Sequence, residues 1–159
     1  MYLLDTNIMI EAKNRYYAFD ICPGFWAWLK SCHARDVVFS THAVRDEILR
    51  GKDDLTTWIG TLPPTFFINR GAATVPHLTT LAGWASASTQ YTSAAKAEFV
   101  ASADYYLIAQ ARETGFSVVT HELPSGSKKR IKIPEAAAHL GVRVVSPYEV
   151  MRREGAVFA

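Results

Sequence analysis

The chain has 159 residues, of which 49% are apolar and 20% are charged, a balance that excludes a disordered chain and fits one folded domain over residues 1–159. The net charge of +2 does not by itself indicate a nucleic-acid-binding protein, so any basic surface has to come from local clustering. Cys22 and Cys32 match no zinc pattern and are expected to be free, buried thiols of a cytoplasmic protein, and no apolar run approaches the roughly 18 residues of a membrane span.

The first third of the chain alternates short apolar runs with helical patterns. Unbroken apolar runs fit strands that are buried on both faces, as in parallel sheets. The predicted elements are a strand over 2–4, a short helix over 8–12, an aromatic-rich loop over 15–24, a helix over 25–33, a strand over 37–39, a helix capped by Ser40 or Thr41 that ends at Gly51, and a helix from Asp53 or Asp54 to Ile59.

The rest of the chain continues this alternation. The predicted elements are an edge strand over 66–68, a helix over 75–87, a polar connection over 86–93, a helix between Ser102 and Gly115, a strand over 116–120, a polar segment over 121–132, a helix from Pro134 to Gly141, a strand over 142–145, and a last helix opened by a capping box at Ser146–Glu149. Strands separated by helices throughout predict an α/β fold, in which a central, mostly parallel sheet is flanked by helices in three layers.

Four acidic residues from distant segments are predicted to meet at one edge of this sheet. Asp5 follows the first strand, and Glu122 follows the strand that ends at Thr120. Glu47 and Asp104 are expected in the first turns of helices that begin at the same edge. Because open parallel sheets bind ligands beyond the carboxyl ends of their strands, these four side chains are candidates for one site.

Converging carboxylates repel one another, and a divalent cation relieves that repulsion. Oxygen ligands suit hard cations such as Mg²⁺ or Mn²⁺, and a water bound to such an ion can become the nucleophile for phosphodiester hydrolysis. Taken singly, each acid also has a structural interpretation: Asp104 as a first-turn acid, Glu47 as a solvated neighbour of Asp46, Glu122 as part of a polar loop, and Asp5 as a strand end. The hypothesis therefore rests on the set.

Four short motifs follow one another along the chain: Tyr2-Leu3-Leu4-Asp5-Thr6-Asn7, Ala43-Val44-Arg45-Asp46-Glu47-Ile48, Ala103-Asp104 with Leu107-Ile108-Ala109, and Val118-Val119-Thr120. Together they resemble the motifs of the PIN-domain family, the fold of the virulence-associated ribonuclease toxins of prokaryotic toxin–antitoxin pairs. The resemblance spans nearly the whole chain.

This resemblance implies a metal-dependent ribonuclease, with Asp5, Glu47 and Asp104 nearest the Mg²⁺ or Mn²⁺ and a cognate antitoxin as partner. It also implies that Asn7 and Thr120 orient the acids by hydrogen bonds. The family commonly has Asp where this chain has Glu122, two residues after the strand-ending Thr120, which leaves open whether one or two metal ions bind.

A basic cluster follows the fourth acid and is a candidate RNA-binding segment; it consists of Lys128, Lys129, Arg130 and Lys132. A solvated loop explains the same pattern equally well. Tyr16 and Tyr17 fit either base stacking or packing, with packing the commoner role, and His42 and His121 are interpreted as bystanders. The apolar surface of the aromatic-rich stretch 16–29 predicts a homodimer.

Two other classes of function compete with a ribonuclease. A catalytically silent PIN-fold module that binds nucleic acid or protein would be indicated by loss of an acid, and all four acids are present. A phosphotransferase or nucleotide-binding protein is disfavoured because the chain has neither a Gly-x-Gly-x-x-Gly nor a Walker motif. Among nucleases, DNA remains an alternative substrate to RNA.

Overall fold

A computed structural model describes residues 1–158 of the chain as five strands and nine α-helices that largely alternate. In chain order they are β1 (Tyr2–Leu4), α1 (Thr6–Glu11), α2 (Pro23–Ala34), β2 (Val38–Thr41), α3 (His42–Leu49), α4 (Asp54–Ile59), β3 (Phe67–Ile68), α5 (Val75–Ala87), α6 (Ser93–Ala101), α7 (Ala103–Thr114), β4 (Ser117–Val119), α8 (Ile133–Leu140), β5 (Val144–Val145) and α9 (Pro147–Arg153). Short 3₁₀ turns over Pro64–Phe66 and Ala72–Thr74 precede β3 and α5.

The five strands form one parallel sheet in the order β3-β2-β1-β4-β5, which confirms the predicted fold class. Leu3 pairs with Phe39 of β2 and with Val118 of β4, so β1 occupies the centre. The chain moves outward from β1 in one direction through β2 and β3, and in the other through β4 and β5. The point where this order reverses lies between β1 and β4, where open parallel sheets form their ligand crevice.

Helices cover both faces of the sheet. On one face, α7 contacts β2 and β4 and packs against α3, α5 and α8. On the other, Phe25 and Leu29 of α2 and Val150 of α9 surround a small apolar space together with Leu4 and Val119. All three residues of β1 are buried, as expected for a strand covered on both sides.

The observed elements depart from the predicted ones in two places. The chain continues from α1 into a π-helical turn over Ala12–Tyr16, where a loop was expected from Arg15, and the amide of Tyr17 donates to the carbonyl of Ala12. The indole of Trp26 donates to the carbonyl of Tyr17 and fixes the end of this turn. Helix α6 was not predicted from the sequence.

Three further expectations can be compared with the structure. Neither cysteine is in a disulfide, but Cys22 is only half-buried, whereas Cys32 is fully buried. The hydroxyl of Ser146 caps α9, although Glu149 does not complete a capping box because its carboxylate pairs with Arg143 and Arg153. Within residues 1–158, no helix combines the length and the apolar character needed to cross a bilayer.

Candidate active site

Asp5 lies at the carboxyl end of β1, beside the crevice between β1 and β4. The residue is 1% exposed. The hydroxyl of Thr120, which follows β4, donates to Asp5 Oδ2 at 2.9 Å, as the predicted orienting role of Thr120 requires. Asp5 Oδ1 is buried and accepts no hydrogen bond within the described chain. A buried carboxylate oxygen without a partner destabilises a fold, so this atom is suited to bind a proton or a cation.

The pKa values of Asp5 and Asp104 reflect this environment. Burial, followed by the charges of Asp104 and Glu122, raises the pKa of Asp5 to about 8, although the Thr120 hydroxyl and the Asn7 backbone amide oppose the rise. Burial, followed by the charges of Glu122 and Glu47, raises the pKa of Asp104 to about 7. Two such neighbours cannot both ionise freely at neutral pH unless a positive charge joins them.

Glu47 and Asp104 reach the same cavity from two helices. Asp104 lies in the first turn of α7, as predicted. Glu47 lies in the second turn of α3, not the first, because α3 begins directly after its capping residue, Thr41. The hydroxyl of Thr6 donates to Glu47 Oε2 at 2.5 Å and holds that carboxylate in place.

These acids line one cavity of about 180 Å³ at the carboxyl edge of the sheet. We call it the acidic cavity and define it by its polar wall residues, which are Asp5, Thr6, Asn7, Glu47, Glu98, Ser102, Asp104 and Arg130. Of the six residues predicted as acids or orienting groups of the site, the cavity wall includes Asp5, Asn7, Glu47 and Asp104, and Thr120 bonds to it through Asp5.

Glu122 lies beside the acidic cavity and is not part of its wall. Its Oε1 is 2.8 Å from a guanidinium nitrogen of Arg130, and its Oε2 accepts from the Ile133 amide at 2.8 Å. Both carboxylate oxygens are therefore engaged, and Glu122 acts on Asp5 and Asp104 through its charge.

The predicted basic cluster divides into three environments. Arg130 pairs with Glu122 and lines the acidic cavity. Lys128 and Lys129 are exposed in the loop, and Lys132 is half-buried at the start of α8. Only part of the cluster is thus free to meet a phosphate chain.

Glu98 is the acid of the wall that sequence reasoning missed. It lies on α6, which the hydroxyl of Thr92 caps and which buries only Ala95 and Phe99. The spacing of Ala95 and Phe99, four residues apart on one helix face, was the available signal, but two apolar residues are too few to mark a helix clearly.

The acidic cavity fits a hard cation in the chemistry of its donors, although it is open. Within residues 1–158, no three His, Cys, Asp or Glu side chains are drawn together into a ready-made group of metal ligands. The wall nevertheless offers carboxylate oxygens from Asp5, Glu47 and Asp104, and Asp5 Oδ1 is buried without a partner. Mg²⁺ and Mn²⁺ prefer oxygen donors and commonly keep several waters, so an open cavity of this kind suits them.

The aromatic candidates mostly pack inside the chain. Tyr17 stacks on Phe25 with ring centroids 4.4 Å apart, and Trp26 is buried. Tyr16 stays 47% exposed, with its ring 5.7 Å from that of His121. Many side chains of the stretch 16–29 therefore pack inside the chain, and the stretch offers less apolar surface than the homodimer prediction assumed. The homodimer stays a prediction.

Comparison with known proteins gives one family and one fold. A model of the family described as a domain of unknown function, DUF4411, matches residues 2–158. No curated protein matches the sequence. A solved structure of FitAB bound to an IR36 DNA fragment contains a chain with a TM-score of 0.57 at 19% identity, and the match covers 93% of this chain and 96% of that one. The PIN-like fold implied by the sequence motifs is thereby confirmed, and at this identity the likeness shows the fold alone.

Proposed function

The chain belongs to the DUF4411 family of domains of unknown function, and we propose that within its PIN-like fold it is a Mg²⁺- or Mn²⁺-dependent endoribonuclease. The observation that supports this most directly is the acidic cavity. Asp5, Glu47 and Asp104 come from three distant segments and line one cavity at the switch point of a parallel sheet. Burial and mutual repulsion there make a cation the natural occupant.

Asp5, Glu47 and Asp104 would hold the ion. When bound, a divalent cation lowers the pKa of a water molecule and neutralises the charge that develops on a phosphodiester under attack. Thr120 and Thr6 fix the orientation of the Asp5 and Glu47 carboxylates by the hydrogen bonds that they donate. Hydrogen bonds of this kind hold metal-binding side chains in one orientation and so favour one coordination geometry.

The remaining predicted residues have supporting roles in this proposal. Asn7 stabilises ionised Asp5 through its backbone amide. Glu122 keeps Arg130 at the cavity wall, where the guanidinium lowers the pKa of Asp104 and so favours its ionised form. Lys128 and Lys129, with Lys132, would contact RNA phosphates beside the cavity.

We further propose that the chain acts as the toxin of a toxin–antitoxin pair and that an antitoxin protein is its partner. The support is the order of the sequence motifs and the fold shared with FitAB, which was solved bound to DNA. Induced expression in a bacterial host should then arrest growth, and expression of the Asp5→Asn variant should not. Equal arrest by both proteins would contradict a toxin role that depends on this site.

Cleavage of RNA tests the ribonuclease proposal. Purified protein is incubated with an RNA pool in Mn²⁺ or in EDTA, beside the Asp5→Asn and Asp20→Asn variants. Asp20 lies on the surface in the turn before α2 and is the matched control, because the same charge is removed away from the cavity. We expect Mn²⁺-dependent cleavage by the wild type and Asp20→Asn only. Cleavage that survives in Asp5→Asn would place the chemistry elsewhere, and absence of cleavage with intact RNA binding would favour a silent module. A single-stranded DNA pool run in parallel decides between the two substrates.

A further inference from the structure

A second cavity, of about 460 Å³, adjoins the acidic cavity. The two share Glu47, Glu98 and Ser102 in their walls, so they lie side by side. We call the second cavity the arginine groove, after Arg50 and Arg70 in its wall. A ligand too long for the acidic cavity, such as a polynucleotide strand, can extend into this groove.

The two arginines differ from Arg130 in their freedom to bind an external anion. Arg50 follows α3, Arg70 follows β3, and both are exposed. Among residues 1–158 neither forms an ion pair with a carboxylate, whereas Arg130 is paired with Glu122. Their guanidinium groups are therefore available to a ligand.

Arg70 is also held in position by an aromatic ring. Its guanidinium carbon lies 4.4 Å from the centroid of the Tyr106 ring. A cation–π contact of this kind restrains the guanidinium, whose N–H groups can still donate to a phosphate. Cationic side chains combined with an aromatic side chain are typical of grooves that bind single-stranded nucleic acid.

The backbone also contributes groups that attract an anion. Two helix starts line the groove. They are the start of α3, at His42 and Ala43, and the start of α7, at Ser102 and Ala103. Helix N-termini favour anions through their free amides and the helix dipole. The Ser102 hydroxyl donates to the Phe99 carbonyl at 2.7 Å and does not cap α7. Three acids also line the groove. Glu47 and Glu98 lie where it borders the acidic cavity, and Asp46 Oδ1 lies 3.9 Å from a guanidinium nitrogen of Arg45.

We propose that the arginine groove binds the phosphate groups of a single strand next to the phosphodiester that lies over the acidic cavity. The placement of the scissile bond rests on the proposed ribonuclease function, whereas binding of the strand by Arg50 and Arg70 does not. The substrate strand then continues past the acidic cavity along α3 and α7, and the two arginines contact successive phosphates.

Binding measured without catalysis tests this proposal. The probe is a short fluorescein-labelled RNA of mixed sequence, titrated with protein in EDTA over a series of KCl concentrations and followed by fluorescence anisotropy. Each of Arg50→Gln and Arg70→Gln should reduce the slope of log affinity against log salt by about 0.7, the value for one phosphate contact to a single strand. Tyr106→Leu should lower affinity a few-fold and leave the slope unchanged, because the charge of Arg70 remains.

Arg152→Gln is the matched control, since Arg152 is an exposed arginine in the last turn of α9. It should match the wild type in slope. An unchanged slope in the Arg50→Gln/Arg70→Gln double variant, or no RNA binding by the wild type, would overturn the proposal. Equal binding of single-stranded DNA would support recognition of the phosphodiester chain, and tighter binding of a duplex would contradict a single-strand groove. If the salt slopes fall as expected but no RNA is cleaved in Mn²⁺, the proposal for the arginine groove is supported and the ribonuclease proposal fails.

Discussion

The carboxyl ends of β1 and β4 lie side by side, yet the acids that follow them have opposite environments. Asp5, after β1, is buried with one oxygen that accepts no hydrogen bond. Glu122, after β4, has both oxygens engaged, by Arg130 and by the amide of Ile133. An acid whose oxygens are all satisfied can serve the fold, whereas a buried acid with an unpartnered oxygen weakens it. The difference indicates that Asp5, and not Glu122, is the acid available to bind a ligand.

The largest expected effect is on catalysis. Asp5→Asn keeps the shape of the side chain but removes the charge that holds a cation, so RNA cleavage should fall by about 10²- to 10³-fold. Glu122→Gln removes only a neighbouring charge and the pairing of Arg130, so cleavage should fall by about 10-fold. Initial rates in Mn²⁺ measure both effects. An equal loss of cleavage in the two variants would show that the two acids do not differ in this way.

The next effect is on stability without metal. The folded pKa of Asp5, about 8, lies above its ordinary value of 3.8, so the folded state binds this proton more tightly than the unfolded state. The stability that the proton provides is complete below about pH 4 and is lost as the pH rises to about 8. Since each pKa unit corresponds to about 1.4 kcal/mol, Asp5→Asn should be more stable than the wild type by about 2 kcal/mol or more above pH 8 in EDTA.

Urea unfolding across this pH range provides the measurement. The advantage of Asp5→Asn should grow from pH 4 to pH 8, because Asn has no carboxyl to deprotonate. Glu122→Gln should show a smaller growth, because the charge of Glu122 is only one of the causes that raise the pKa of Asp5 and Asp104. Loss of its partly exposed ion pair with Arg130 should itself change stability by about 1 kcal/mol or less. A constant difference between the wild type and Asp5→Asn at every pH would contradict the role assigned to burial.

A smaller effect on stability is expected from the hydrogen bond that joins the two strand ends, between Thr120 and Asp5. Thr120→Val keeps the shape of the residue but removes the hydroxyl that donates to Asp5 Oδ2. Because that hydrogen bond lowers the pKa of Asp5, the variant should have a still higher pKa and should lose about 1 kcal/mol of stability above pH 8 in EDTA. Thr120→Ser, which restores a hydroxyl, should recover most of the loss. A Thr120→Val protein as stable as the wild type at this pH would show that the bond contributes little.

The sequence predicted the sheet well because its strands are strongly marked. Buried runs at 2–4, 37–39 and 116–120 could be recognised without long-range information, and positive-φ glycines do end α7 and α8, at Gly115 and Gly141. The π-helical turn after α1 was not predictable, since it depends on the distant indole of Trp26. Helix α6 was missed because it buries few apolar residues and its capping residue, Thr92, lies within the predicted polar connection over 86–93.

The site was predictable to the extent that it follows strand ends. Asp5 and Thr120 are placed by β1 and β4 directly, and the first-turn position of Asp104 follows from its helix start. Glu98 was missed with its helix. The engagement of Glu122 by Arg130 depends on how the loop between β4 and α8 folds back, which no local pattern in the sequence specifies.

Binding of Mn²⁺, measured by isothermal titration calorimetry at neutral pH, tests most directly whether the acidic cavity holds a cation. The wild type, Glu122→Gln and the surface control Asp20→Asn should all bind Mn²⁺, with Glu122→Gln somewhat weaker. Asp5→Asn should lose measurable binding although it folds and, in EDTA, melts at a higher temperature than the wild type. A wild type that binds no Mn²⁺, or an Asp5→Asn protein that binds it with unchanged affinity, would contradict the account.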